Sequence, residues 1–208
     1  MNFNIKQQKP CSIMLRSANP TFDEGLVFAC YLDQAFEGLF RLMLGPRAED
    51  IVATAYTRPD HDFSYQNTIF AECDETIVGM ATGYTTEQHR RWSNQPLKQA
   101  ASHHALGKVG VTLLCLRLRF LGTHADGDFY LQAIATKEEF RGQGIGSALL
   151  DGVEARARAS GATRLVLDAS ARNKAALRFY ERHGMAVVLK ETAFPFVPRF
   201  IVQMTKSL

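Results

Sequence analysis

Residues 128–160 read DFYLQAIATKEEFRGQGIGSALLDGVEARARAS, and the pattern changes twice along them. Asp128 to Ala135 is a run of apolar and β-favouring residues, which predicts a buried strand. From Gly144 to Ser160, Ile145, Leu149, Val153 and Ala157 recur every fourth residue, which predicts a helix packing one face, stopped by Gly161. Between the two lies Arg141-Gly142-Gln143-Gly144-Ile145-Gly146. Glycines there let a ligand approach the backbone without Cβ obstruction, and the helix start offers unsatisfied N–H groups at a positive dipole end. That combination suits a phosphate or pyrophosphate.

Two common phosphate loops do not fit. No G-x-x-x-x-G-K-[ST] occurs, which excludes a Walker loop. The dinucleotide fingerprint G-x-G-x-x-G fails at its third glycine, where Ser147 stands, and Thr136 to Phe140 separate the loop from its strand. Asp168, at the end of the next strand, superficially resembles a ribose-binding acid and keeps a dehydrogenase-type nucleotide domain as an alternative.

Downstream, Arg164 to Asp168 predicts a strand and Asn173 to His183 a second helix. Gly184 closes that helix, with Met185 as the hydrophobic partner of its cap. Ala186 to Leu189 and Phe200 to Met204 predict two last strands, separated by a loop holding Pro195 and Pro198. Upstream, Ser12 to Arg16 reads as a first strand and Thr21 as an N-cap with carboxylates behind it. Residues 23–44 predict one or two buried helices, ended by Gly45-Pro46, and Ala48 to Ala55 a short one. Thr68 to Glu72 and Ile77 to Tyr84 predict a hairpin. Residues 87–127 carry no clear pattern, and Val109 to Leu121 fits helix or strand equally. No linker or repeat divides the chain, so residues 1–208 are expected to form a single domain.

From Asp128 to Met204 the sequence resembles the GNAT family of acyl-CoA-dependent N-acyltransferases, with weaker agreement back to the hairpin. The resemblance rests on a strand, then [RQ]-x-x-G-x-[GA], a helix, a strand, and a helix bearing Asn and Tyr. Here these are Leu131 to Thr136, Arg141 to Gly146, Leu165 to Asp168, and Asn173 to Met185 with Tyr180. It implies an α/β (α+β) fold: a mixed, centrally splayed sheet of about seven strands flanked by helices, with the acyl-CoA half at about 128–206. It also implies acetyl-CoA as cosubstrate, with no metal. Arg141, Gly142, Gln143, Gly144, Ile145, Gly146 and Ser147 would hold the CoA pyrophosphate, mainly through backbone amides. The strand edge at Ile134, Ala135 and Thr136 would pair with the pantetheine arm. Asn173 would reach the pantetheine, and Tyr180 would sit near the thioester sulfur. Positions 173 and 180 are two turns apart on one helix face, with Leu177 between them.

The chemistry sets the remaining roles. An amine attacks a thioester only when neutral, so an ammonium of pKa near ~10 must first lose a proton. A strand N–H around Ile134 or Ala135 suits the oxyanion. A tyrosine hydroxyl, with a reference pKa of ~10 against a thiol's ~8.5, makes Tyr180 the acid for the departing thiolate. Two carboxylates are candidates for the base: Asp128, where the histone-modifying branch carries a glutamate, and Glu37, in the apolar stretch Ala35 to Phe40. A water chain is a third. The expected activity is direct acetyl transfer to a primary amine of a small molecule or peptide, with a small molecule as the default. An acyl-CoA-binding or sensing module without turnover is the other alternative.

Composition excludes other classes. The 208 residues are 46% hydrophobic and 22% charged, with a net charge of +3 and no concentrated basic stripe, which disfavours nucleic acid as partner. The start lacks the apolar core of a secretory signal, and no run approaches a membrane span. Cys11, Cys30, Cys73 and Cys115 are scattered among apolar neighbours without metal-ligand spacing, so free core thiols and a cytoplasmic location are expected. The last two strands are candidates for pairing across a homodimer. Arg90-Arg91-Trp92 and His103-His104 are expected at the surface, with the lining of an acceptor channel as the alternative.

Overall fold

The computed structural model describes residues 12–102, 109–114, 124–191 and 201–208. Seven strands form one sheet: β1 (Met14–Ser17), β2 (Thr68–Cys73), β3 (Thr76–Thr85), β4 (Asp128–Thr136), β5 (Arg164–Ser170), β6 (Ala186–Glu191) and β7 (Ile201–Ser207). Their order is β1-β2-β3-β4-β5-β7-β6. β4 and β5 run parallel, and the other neighbouring pairs are antiparallel. A doubly wound parallel sheet of dehydrogenase type is therefore ruled out. The splayed, mixed sheet expected from the resemblance is what forms.

The helices are α1 (Phe22–Ala35), α2 (Leu39–Leu44), α3 (Ala48–Tyr56), α4 (Thr86–Arg91), α5 (Gln95–Ala100), α6 (Ile145–Ala159) and α7 (Lys174–Arg182). Residues 109–114 are helical too, which settles the first half of the ambiguous stretch 109–121; the rest of it lies outside the described residues. So do His103, His104, Pro195, Pro198, Cys11 and Cys115. Among the described residues no helix is long and apolar enough to cross a membrane.

Local chemistry explains most boundaries. Thr21 caps α1 by accepting from the Glu24 amide. The β2–β3 hairpin turns through Asp74 and Glu75, at φ 47° and 62°, the left-handed pair that a tight two-residue turn needs. α7 ends in a Schellman cap: Gly184 N–H donates to the Glu181 carbonyl and Met185 N–H to the Tyr180 carbonyl. Met185 is buried behind it.

Two cores sandwich the sheet. One gathers α1, α2, α3 and residues 109–114 around Phe28, Phe40, Tyr56 and Phe63. The other joins α6 and α7 to the opposite face through Leu149, Val153, Leu165 and Tyr180. Each such large apolar side chain contributes roughly 1.5–3 kcal/mol on burial. β4 passes from one core to the other. Phe129 and Leu131 face α6, whereas Ala133 and Ala135 face the core on the α1 side. The cause is a bulge at Gln132: Thr82 pairs Ala133 and Gly83 pairs Leu131, which leaves Gln132 as the extra residue. Gly83 permits it, since a Cβ there would stand 2.6 Å from the Tyr130 carbonyl oxygen.

Two expectations about cysteine fail. Cys30 is free but exposed, and Cys73 is disulfide-bonded rather than a free thiol.

Candidate active site

The parallel pairing of β4 and β5 extends only over Asp128–Tyr130 and Arg164–Val166. Beyond it the strands part. A cavity of about 280 Å³ occupies the gap, walled by residues 130–135 of β4, 167–170 of β5, the α1–α2 turn and one face of α7.

β4 has an unpaired edge here, and its register tells which residues use it. Lys137 N–H bonds to the Val78 carbonyl, so that pair is hydrogen-bonded. Hydrogen-bonded pairs alternate along an antiparallel ladder, so Ala135 opposite Met80 and Ala133 opposite Thr82 also turn their polar groups to β3. Ile134 and Thr136 turn theirs outward. The Thr136 carbonyl accordingly accepts from Gln34 Nε2, at 3.1 Å. Ile134 therefore presents N–H and C=O to the cavity. Ala135, expected to share that edge, turns its N–H and C=O to β3 instead.

At one end of the gap, Arg141 reaches the cavity wall. Gly142 and Gly144 follow with φ 77° and 83°, a backbone region that side chains disfavour, and an added Cβ at either would meet open space. Gly144 is the N-cap of α6 and supplies no side-chain acceptor, so the amides of Ile145, Gly146 and Ser147 begin the helix without intrahelical partners. Ile145 is buried, and Gly146 lies against the Phe179 ring. Gln143 bonds back to the Glu139 carbonyl. Ser147 Oγ lies 2.9 Å from His183 Nε2, and His183 Nδ1 lies 2.8 Å from the Phe179 carbonyl. That link, which the sequence reading missed, ties the end of α7 to the start of α6.

On α7, Asn173, Ala176 and Tyr180 line the cavity, whereas Leu177 turns into the core in place of the facing role expected of it. Asn173 caps the helix, its Oδ1 accepting from the Ala176 amide at 3.0 Å. Tyr180 is buried, and burial pushes its hydroxyl above the ordinary phenol value. Its Oη makes no hydrogen bond among the described residues. Lys174 and Arg178 are exposed.

The carboxylates sort themselves by position. Asp128 does not line the cavity. It is buried where β4 and β5 still pair, with Oδ1 2.7 Å from Arg164 Nε and Oδ2 2.9 Å from both Arg164 Nη2 and the Ala125 amide. This candidate base is thus held in an ion pair away from the cavity. Glu37 does line the cavity, but as an exposed residue of the α1–α2 turn at φ 55°, not inside an apolar helix. Asp33 holds that turn, its Oδ1 accepting from the Arg41 amide and its carbonyl from Gly38 N–H. Asp168, likened in sequence to a ribose-binding acid, lines the cavity and accepts from the Tyr130 hydroxyl at 3.3 Å. Burial, followed by Asp168, pushes Tyr130 well above the usual range, so it remains a donor. Behind it, His124 stacks on the Tyr130 ring at 4.2 Å, and burial lowers its pKa to about 4. Trp92 packs edge-on against Tyr84, and Arg90 pairs with Asp126 at the surface.

A parallel pair splaying around a cavity beside a glycine-opened helix is the architecture of acyl-CoA-dependent acetyltransferases. The profile described as acetyltransferase (GNAT) family matches residues 32–185, and the chain belongs to that family. It is an acyltransferase. A crystal structure of an acetyltransferase superposes with TM-score 0.71 at 26% identity, covering 93% of this chain and 98% of that one. An N-acetyltransferase from Staphylococcus aureus Mu50 gives 0.64 at 16% identity, covering 93% and 100%. A NatC complex bound to Gag peptide and CoA gives 0.56 at 12% identity, covering 95% and 99%. These last two share the fold. No curated protein matches the chain.

Proposed function

We propose that this chain, acting as one N-acetyltransferase domain, moves the acetyl group of acetyl-CoA directly to a primary amine of a small molecule. The observation that carries the reading is the cavity itself. It joins an outward-facing strand amide, a buried tyrosine and the approach to an uncapped helix start.

The diphosphate of CoA would lie on the amides of residues 143–147, where partial positive charge is concentrated and no side chain intervenes. Arg141 and the three glycines complete that cradle. The pantetheine arm would extend along Ile134 and Thr136 like an added strand. Asn173 would meet it with its amide nitrogen, its oxygen being used in the cap.

The acetyl carbonyl then falls beside Ile134 N–H. As the amine adds, charge grows on that oxygen, and a fixed amide in a water-poor gap stabilises it without reorganising. When the tetrahedral intermediate collapses, the C–N bond is kept and the C–S bond breaks. Tyr180, too weak an acid to have lost its proton, donates a hydrogen bond to the departing thiolate and passes the proton as sulfur becomes charged, and the proton shed by the newly acylated nitrogen restores the Tyr180 hydroxyl. The ammonium must be deprotonated before attack. Glu37 lies at the mouth, where a proton can be relayed to bulk water, and takes the base role. Asp128 drops out because both its oxygens are occupied.

Titration calorimetry tests the reading. Acetyl-CoA should bind in the micromolar range and NAD should not, and a panel of primary amines should release CoA thiol. Binding without thiol release from any amine would favour a sensing module. Absence of acetyl-CoA binding would overturn the proposal.

A further inference from the structure

Ser147 and His183 form a side-chain pair that has no part in the acetyl transfer described above. His183 Nδ1 stands 2.8 Å from the Phe179 carbonyl, which can only accept, so Nδ1 carries a hydrogen. In the neutral ring Nε2 is then an acceptor, and the Ser147 hydroxyl, 2.9 Å away, donates to it. In the charged ring both nitrogens carry hydrogen. Nε2–H then donates to Ser147 Oγ, and the hydroxyl proton is freed to point elsewhere. The charge on His183 thus decides whether Ser147 turns a hydrogen or only lone pairs to its surroundings.

Those surroundings are the proposed diphosphate cradle. Ser147 is the third residue of α6, one of the three whose amides open the helix without intrahelical partners. Helical Cα–Cβ bonds tilt toward the N-terminus, so its side chain leans to the same end. α7 borders that end at a second point, where the Phe179 ring lies against Gly146. Ser147 and His183 are both half-buried, so the pair is neither sealed in the core nor fully solvated. Most fixed charges nearby are paired. Lys137 pairs with Glu139 and Arg141 with Glu138 in the loop before α6, and Lys206, which runs past Gly184, pairs with Glu154. Glu181 and Arg182 on α7, and Asp151 one turn past Ser147 on α6, are exposed. None of these takes a ring nitrogen, since Phe179 and Ser147 occupy both.

We infer that His183 is a further cosubstrate-binding residue, which takes up a proton as the diphosphate of acetyl-CoA settles on the start of α6 and so turns the Ser147 hydroxyl into a donor to it. This deepens the acetyltransferase reading above and rests on it. The diphosphate stays anionic across the range, roughly pH 5 to 8, in which an imidazole changes charge. An anion beside the ring favours the imidazolium. By linkage the imidazolium favours the anion by the same factor, so affinity rises as pH falls through that range. Two effects share the gain: the added positive charge, and a hydroxyl hydrogen offered to a phosphate oxygen in place of a facing lone pair.

Calorimetry on the full chain tests this. From about pH 8 to about pH 5.5, the wild-type Kd for acetyl-CoA should tighten at least about 10-fold more than that of His183→Asn, which keeps a donor for the Phe179 carbonyl but does not titrate. Near neutral pH the wild type should also take up more protons on binding than that variant, read from the heats in buffers of different ionisation enthalpy. Ser147→Ala removes the hydroxyl and leaves the ring, so its tightening over the same range should be about 3-fold smaller than the wild type's. That variant decides the matter if His183→Asn fails to fold. The 3′-phosphate of CoA titrates in the same range, and 3′-dephospho-CoA removes it, so the difference between wild type and variant should persist with that ligand. Equal pH responses in wild type and folded variants, or a difference that vanishes with 3′-dephospho-CoA, would overturn the inference while acetyl-CoA binding stands. Absence of acetyl-CoA binding at every pH would instead overturn the acetyltransferase reading, and the inference with it.

Discussion

The two halves of β4 face the same neighbour and do opposite things. Over Asp128–Tyr130 the strand pairs with β5, and its carboxylate is locked to Arg164. Over Leu131–Thr136 the neighbour has swung away, and an outward amide at Ile134 lines a cavity. Within one strand, the half whose edge is paired makes structure and the half whose edge is open makes a site. Swapping the roles of the two halves by mutation should therefore be impossible. Changes in the open half should cost chemistry, and changes in the closed half should cost stability.

The largest effect should come from Tyr180→Phe. Removing a donor aimed at developing charge lowers kcat about 100- to 1,000-fold, while the calorimetric Kd for acetyl-CoA stays nearly constant. Gly144→Val comes next. A branched side chain at φ 83° strains the loop and blocks the cradle, so acetyl-CoA should bind about 30-fold more weakly with kcat at saturation little changed. In the closed half, Arg164→Ala strands a buried carboxylate and should lower unfolding stability by about 2–3 kcal/mol in urea. Asp128→Asn should destabilise less and leave kcat per folded molecule within about 2-fold. A large kcat loss in that variant would return Asp128 to the reaction.

The smallest effect concerns His124. Its folded pKa of about 4 lies below the unfolded value near ~6.5. The unfolded chain therefore binds more protons across that window, and His124 lowers stability as pH falls from ~6.5 toward 4. Melting temperature against pH should flatten in His124→Phe over that range and coincide with wild type above it.

What could be read from sequence was what local chemistry decides. The glycine loop, the Thr21 cap and the Gly184-Met185 stop each need only a few adjacent residues, and all form where their side chains demand. What escaped depends on partners far along the chain. Asp128 looks like a free acid until Arg164, 36 positions away, lies beside it. The bulge at Gln132 exists because Gly83 on β3 allows a close approach, and nothing within Leu131 to Ala135 marks it. Asp168 carries no signal at a strand end until the splay opens the gap next to it. Leu177 and Ala176 are one residue apart on α7, and helical spacing alone could not decide which of them would face the cavity.

Residue-resolved amide hydrogen exchange, with and without saturating acetyl-CoA, reads the claim at its centre. The ligand should protect the N–H groups of Ile134 and of residues 144–147, and leave Ala133 and Ala135, already bonded to β3, as they were. Unchanged exchange at Ile134 and at the start of α6 in protein that demonstrably holds the thioester would contradict the account.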